Sequence, residues 1–141
     1  MYGVIVTAHG NYPTGIYSAL KLVGGEFSNV ICCDFLETYT PEDIAGEIKS
    51  ALEKLRDYEG VFILTDIMGG TPFNQSVMLT ANRNDVRVLG GVNFAMLYTA
   101  ATITGDIEQA LETVIQEGKN LIGYYDSQNQ NTDESEEFDG I

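Results

Sequence analysis

The sequence predicts an α/β protein: a doubly wound, mostly parallel open sheet with helices on both faces. Short apolar runs rich in valine and isoleucine alternate with amphipathic stretches of helical length, which is the pattern of βαβ units. Because crossovers between parallel strands are right-handed, this alternation covers both faces of one sheet with helices. We expect the strand order 2-1-3-4, which makes the first and third strands neighbours.

Each element follows from a local pattern in the sequence. Strands are predicted at Tyr2–Thr7, Val30–Phe35, Gly60–Thr65 and Val86–Leu89, with a last short strand at Asn120–Tyr124. Helices are predicted at Thr14–Val23, Pro41–Asp57, Pro72–Ala81, Phe94–Ile103 and Asp106–Glu117. The second helix has the clearest start, because Thr40 can cap it, Pro41 suits its first turn and Asp43 stands in third position. Thr71 is the predicted cap of the third helix, and Gly118 is the predicted end of the fifth.

Length and composition predict one domain followed by a tail. A chain of 141 residues suffices for one core, which we assign to residues 1–125. Residues 126–141 contain six acidic and no basic residues, so we expect an acidic disordered tail there. The net charge of −14 argues against nucleic-acid binding, because phosphate contacts need a basic face. With no long apolar stretch and no signal peptide, we expect a cytoplasmic location.

Two adjacent cysteines, Cys32 and Cys33, lie in the second predicted strand. Neighbouring strand residues point to opposite faces, so we expect two small hydrophobic side chains in a buried strand rather than a disulfide. No Cys/His cluster suggests a metal site. No residue in the sequence calls for an organic cofactor.

The only histidine, His9, follows the first predicted strand, and Asp66 follows the third. In an open parallel sheet, the carboxyl ends of neighbouring strands frame a ligand crevice where their helices depart to opposite faces. A carboxylate there can accept a hydrogen bond from one ring nitrogen, which fixes the tautomer and leaves the other nitrogen nucleophilic. The pattern therefore predicts that His9, left uncrowded by Gly10, carries a reactive imidazole that Asp66 orients.

The segment after Asp66 predicts an anion site. Gly69 and Gly70 let the backbone approach a ligand, and the free amides at the helix start near Thr71 favour a phosphate. A plain strand-to-helix turn capped by Thr71 is the structural alternative. Asn93 follows the fourth strand on the same side, in a loop that either rims the crevice, binds a partner protein or only starts a helix.

Other reactive arrangements fit this chain poorly. The sequence contains no G-x-S-x-G nucleophile elbow and no Walker lysine. A histidine phosphatase needs arginines around its phosphate, and none lies near His9 in sequence. The pattern favours an imidazole that carries a phosphoryl group, with backbone donors for its oxygens.

These segments resemble the mannose-type IIA component of the bacterial phosphoenolpyruvate-dependent sugar phosphotransferase system. The resemblance rests on Val-Thr-Ala-His-Gly, Asp-Ile-Met-Gly-Gly-Thr-Pro-Phe-Asn and Gly-Gly-Val-Asn-Phe-Ala-Met-Leu, in that order over about residues 1–124. It implies a phosphocarrier in which His9 takes a phosphoryl group from phospho-HPr and passes it to a IIB component. IIB in turn serves the membrane components IIC and IID. By position, Asp66 orients the imidazole and the Thr71 hydroxyl lies near the phosphate.

The resemblance also implies a homodimer with an antiparallel edge strand, here residues 119–124, sometimes exchanged between subunits. Since no IIB segment follows the tail, we expect IIB on a separate polypeptide. Two other functions stay open: the related phosphocarrier of a dihydroxyacetone kinase, and a non-catalytic flavodoxin-like regulatory or binding module. No motif in the sequence names the transported sugar.

Overall fold

The structure, a computed structural model, describes residues 1–128. Its sheet contains four parallel strands in the order β2-β1-β3-β4. The strands are β1 (Gly3–His9), β2 (Val30–Phe35), β3 (Val61–Thr65) and β4 (Val86–Leu89). The helices of this region are α1 (Tyr12–Gly24), α2 (Pro41–Lys54), α3 (Thr71–Thr80), α4 (Phe94–Thr102) and α5 (Ile107–Leu121). The predicted fold class and strand order are confirmed.

Two apolar cores cover the two faces of the sheet. Along β1, Val4 and Val6 belong to one core and Ile5 to the other, because alternate strand residues point to opposite faces. Helices α1, α4 and α5 cover the first face through residues such as Leu20, Leu97 and Val114. Helices α2 and α3 cover the second through Ile44, Ile48 and Leu79. Since α1 and α3 leave the sheet toward opposite faces, a crevice opens between the ends of β1 and β3.

The start of α2 follows the predicted local chemistry. The Asp43 N–H donates to Thr40 Oγ1 at 3.2 Å, and the Thr40 N–H donates to Asp43 Oδ2 at 2.9 Å. Pro41 occupies the first turn, where its missing N–H is not needed. This capping box stabilises the helix by roughly 1 kcal/mol.

The predicted cap of α3 is wrong. Gly70 is the N-cap, and Thr71 is the first helical residue. Gly69 turns the chain with a φ of 82°, a backbone conformation that favours glycine. This turn brings Gly70, rather than Thr71, to the point where extended backbone passes into helix.

The predicted end of α5 at Gly118 is also wrong, because the helix continues to Leu121. A Cβ atom at Gly118 would lie 2.5 Å from Met96 Cγ, so this glycine allows α5 to pack closely on α4. The strand predicted at Asn120–Tyr124 is absent from the described residues: Asn120 and Leu121 are helical, and 122–125 have no regular structure. Residues 129–141 of the predicted tail lie outside the described residues.

The cysteines of β2 are free thiols, as predicted. Cys33 is buried and Cys32 is half-buried. Burial raises the pKa of Cys32 to about 11 and that of Cys33 to about 12. Both side chains therefore stay protonated at neutral pH. No helix among residues 1–128 is both long and apolar enough to cross a membrane.

Candidate functional site

The sheet register brings the two predicted site residues together. Thr7 of β1 lies beside Thr65 of β3, so His9 and Asp66 emerge side by side at the carboxyl end of the sheet. His9 Nδ1 lies 2.9 Å from Asp66 Oδ2. Since an ionised carboxylate only accepts hydrogen bonds, Nδ1 carries the proton. The lone pair of Nε2 is then free to attack an electrophile.

The Asp66 carboxylate is held by backbone donors as well as by the ring. The His9 N–H donates to Oδ2 at 3.2 Å, and the Ile67 N–H donates to Oδ1 at 2.9 Å. The Asp66 side chain is 15% exposed, whereas that of His9 is 46% exposed. The carboxylate is therefore fixed and sheltered, while the imidazole remains accessible to a partner.

Two further residues, Phe35 and Gly70, lie close to the imidazole ring. The Phe35 and His9 rings pack edge to face, with 5.7 Å between centroids and 67° between the planes. On the α3 side, a Cβ atom built at Gly70 would lie 3.0 Å from His9 Cε1 and 3.8 Å from Nε2. Gly70 therefore lets the start of α3 approach the reactive edge of the ring.

The start of α3 is open toward a ligand. Helices α2, α4 and α5 have side-chain caps from Thr40, Asn93 and Asp106. In α1, the Thr14 N–H donates to Asp34 Oδ1 at 3.1 Å. Helix α3 has no side-chain cap, and the N–H groups of Thr71 and Phe73 meet no acceptor among residues 1–128. These donors and the positive end of the helix dipole suit an anion.

The other predicted contacts divide into two groups. The Thr71 hydroxyl makes no hydrogen bond within the described residues, so it is available to a ligand. Asn93 is committed to structure: its Oδ1 accepts from the Met96 N–H at 3.1 Å, and its Nδ2 donates to the Gly118 carbonyl at 2.8 Å. Asn93 thus caps α4 and joins it to α5, while the phosphate- or partner-binding role predicted for it stays a prediction.

Sequence reasoning missed Tyr12 and an apolar border. The Tyr12 hydroxyl donates to the Val92 carbonyl at 2.8 Å, across the site. Burial, and secondly the charge of Asp66, raise the pKa of Tyr12. Ile67 and Met68, which follow Asp66, are 57% and 70% exposed. The only signal for Tyr12 in the sequence was its position, three residues after His9.

Within residues 1–128, no lysine or arginine side chain forms a salt bridge with the His9–Asp66 pair. The lysine and arginine salt bridges of residues 1–128 instead join Lys21 to Glu26, Arg56 to Glu53, Arg83 to Asp85 and Arg87 to Glu108. Within the same residues, no group of three or more His, Cys, Asp or Glu side chains could hold a metal ion. The unpartnered donors at the start of α3, beside Gly70, are the backbone amides of Thr71 and Phe73 and the Thr71 hydroxyl.

This combination of fold and site is that of a known phosphotransferase component. Residues 3–118 match the EIIA-man family, described as the PTS system fructose IIA component. The match covers most of the chain, so the protein belongs to the EIIA-man family. The resemblance stated from the motifs is thereby confirmed, together with the general role of a component of sugar phosphotransferase systems.

Individual relatives agree with this assignment. The crystal structure of a phosphotransferase system component EIIA from Streptococcus agalactiae is 31% identical, with a TM-score of 0.78 over 88% of this chain and 97% of that one. The fructose-specific EIIA component of Bacillus subtilis is 28% identical over 69% of this chain and 66% of its own length. The mannose-specific EIIAB component of Escherichia coli is 29% identical over 67% of this chain. That match spans only 29% of the Escherichia coli protein.

Proposed function

We propose that this chain is a IIA phosphocarrier, in which His9 accepts a phosphoryl group from phospho-HPr and passes it to a IIB component. The observation that carries the proposal is the bond from His9 Nδ1 to Asp66, which leaves Nε2 free beside the uncapped start of α3. Membership of the EIIA-man family supports it. We assign the carrier to the cytoplasm. Through IIB, it serves the membrane components IIC and IID.

In the acceptance step, the lone pair of His9 Nε2 attacks the phosphorus atom of the donor. An N–P bond forms, and the bond from phosphorus to the donor breaks with its electron pair going to the donor. Since Nδ1 keeps its proton, the phosphorylated ring of His9 carries positive charge. The Asp66 carboxylate, 2.9 Å away, stabilises that charge.

The delivery step reverses this chemistry. A nucleophile on IIB attacks the phosphorus, the N–P bond breaks, and its electron pair returns to Nε2. Because Nδ1 has kept its proton throughout, His9 leaves as a neutral imidazole. Asp66 thus supports both directions without changing its own protonation state.

We assign the phosphoryl oxygens to the first-turn N–H groups of α3 and to the Thr71 hydroxyl. These donors are preorganised, since helix geometry fixes them and no side chain of the described residues competes for them. Within residues 1–128 no lysine or arginine forms a salt bridge with the His9–Asp66 pair, so neutral hydrogen-bond donors supplement the N–P bond. Such a hold suits a carrier that must release its load.

Sugar selection belongs to the partners in this proposal. The relatives named above are called fructose-specific and mannose-specific. This chain would hold only the phosphoryl group, so its site has no need to contact a sugar. A IIB component of matching surface is the direct acceptor.

Radioactive phosphoenolpyruvate with enzyme I and HPr tests the proposal. We expect wild type to take up one acid-labile, base-stable label and to pass it to a IIB component, while His9→Gln folds with unchanged melting temperature and stays unlabelled. His9 is the only histidine, so the assignment is unambiguous. A stable label on His9→Gln would contradict it. A folded wild type that stays unlabelled would indicate a binding module, and transfer only to a dihydroxyacetone kinase would indicate that other carrier.

A further inference from the structure

Tyr12 joins two loops that flank the His9–Asp66 pair. It is the first residue of α1 and stands three positions after His9. Its hydroxyl donates to the carbonyl of Val92, in the loop between β4 and α4, at 2.8 Å. A single side chain therefore connects the loop after β1 to the loop after β4, across the end of β3.

The Val92 loop is itself bonded to the strand end that carries Asp66. The Val92 N–H donates to the Thr65 carbonyl at 2.9 Å, and the Gly91 N–H donates to the Asp66 carbonyl at 3.0 Å. The His9 ring in turn is hydrogen-bonded to the Asp66 side chain. The chain from His9 to Tyr12, the Val92 loop and Asp66 thus form a closed ring of contacts.

The Tyr12 phenol keeps the proton that it donates to the Val92 carbonyl. Burial raises its pKa above the ordinary 10.0, and the charge of Asp66 raises it further. The phenol therefore remains a hydrogen-bond donor throughout the neutral range.

We propose that Tyr12 is a positioning residue for the phosphoryl transfer. Its bond to Val92 holds the His9 loop against the Asp66 support, which keeps His9 Nδ1 on the carboxylate and Nε2 bare. Its effect on transfer rests on the proposed function. Its effect on the imidazole tautomer does not, because that state exists before any phosphoryl group arrives.

The same helix supplies a matched control. The Tyr17 hydroxyl also bonds to backbone, accepting from the Phe27 N–H at 3.1 Å and donating to the Phe27 carbonyl at 3.4 Å. Tyr12→Phe and Tyr17→Phe each remove one phenol oxygen from α1. Only Tyr12→Phe breaks a hydrogen bond to the Val92 loop, which is bonded to the backbone of Thr65 and Asp66.

The experiment measures both variants in the full chain. Nitrogen-15 spectra of the sole imidazole, at a pH where it is neutral, report the tautomer directly. We expect wild type and Tyr17→Phe to be Nδ1-protonated, and Tyr12→Phe to be a mixture of both tautomers. Transfer from phospho-HPr should be about three- to tenfold slower in Tyr12→Phe alone, the effect of one neutral hydrogen bond.

An unchanged tautomer in folded Tyr12→Phe would overturn the proposal, whatever its melting temperature or transfer rate. A shifted tautomer in Tyr17→Phe would also overturn it, because the effect would then be general to α1. If wild type accepted no phosphoryl group, the proposed function would fail. The tautomer comparison would still decide the role of Tyr12.

Discussion

At the residue scale, one hydrogen bond decides which atom of His9 can react. Asp66 Oδ2 accepts a hydrogen bond from His9 Nδ1, which lies 2.9 Å away, and two backbone N–H groups hold the carboxylate in place. The histidine then presents only Nε2 to a partner. The low exposure of Asp66 strengthens its effect on the ring, since water screens a sheltered charge less than an exposed one.

We expect Asp66→Asn to keep the fold and slow phosphoryl transfer by about 10- to 10⁴-fold, the range of other histidine–carboxylate pairs. The amide lacks the charge that stabilises the phosphorylated ring, and its N–H₂ end favours the wrong tautomer. Stopped-flow transfer from phospho-HPr is the measurement. Asp106→Asn is the control, because Asp106 also accepts from two backbone N–H groups but caps the start of α5. An unchanged rate in Asp66→Asn would remove Asp66 from the mechanism.

At the element scale, the start of α3 combines an open helix end with close approach to the ring. Gly70 has a φ of −73°, which any residue can adopt, so the backbone itself does not require glycine there. The requirement is spatial, because a Cβ atom would lie 3.0 Å from His9 Cε1. Adding one methyl group therefore tests the approach without straining the turn.

We expect Gly70→Ala to slow transfer by about 10- to 100-fold, because the displaced ring loses its alignment with the α3 donors. Gly46→Ala in α2 is the matched substitution, since a Cβ atom there meets open space. It should leave transfer unchanged and stabilise the protein by up to about 1 kcal/mol. Equal transfer rates in the two variants would show that α3 does not touch the reacting group.

At the scale of the whole molecule, the C-terminal end of α5 leaves apolar side chains uncovered. Ile122, Tyr124 and Tyr125 are 78%, 87% and 77% exposed. An apolar groove nearby runs between β4 and α5, lined in part by Val88, Leu111 and Ile115. Strand β4 also has no neighbour on its outer side within residues 1–128. An unpaired edge beside exposed apolar residues favours association.

We therefore still expect a homodimer, in which the segment after Leu121 pairs with a sheet. Deleting 122–141 should weaken the dimer, while deleting 129–141 should change neither dimer, melting temperature nor transfer. The cut falls after Leu121 because residues 119–121 belong to α5. Sedimentation at micromolar concentration makes the comparison. A clean monomer of about 15 kDa in wild type would contradict the prediction and leave the His9 mechanism intact.

The sequence alone determined the alternation of strands and helices, their sheet order and the meeting of His9 with Asp66. The elements depend on local information: the hydrophobic period of each segment, the capping box at Thr40, and residue types at strand ends. The sheet order follows from the general rules for βαβ crossovers. A parallel sheet then places the ends of neighbouring strands at one edge.

Only the tertiary structure decided the contacts that Gly118, Asn93 and Tyr12 make. Gly118 looks like a helix end in the sequence, yet it lies inside α5 because α4 packs against it through Met96. The side-chain amide of Asn93 bonds to α4 through its oxygen and to α5 through its nitrogen. Tyr12 finds its acceptor 80 residues away. Such roles depend on which surfaces meet after folding, and no local period or propensity encodes that.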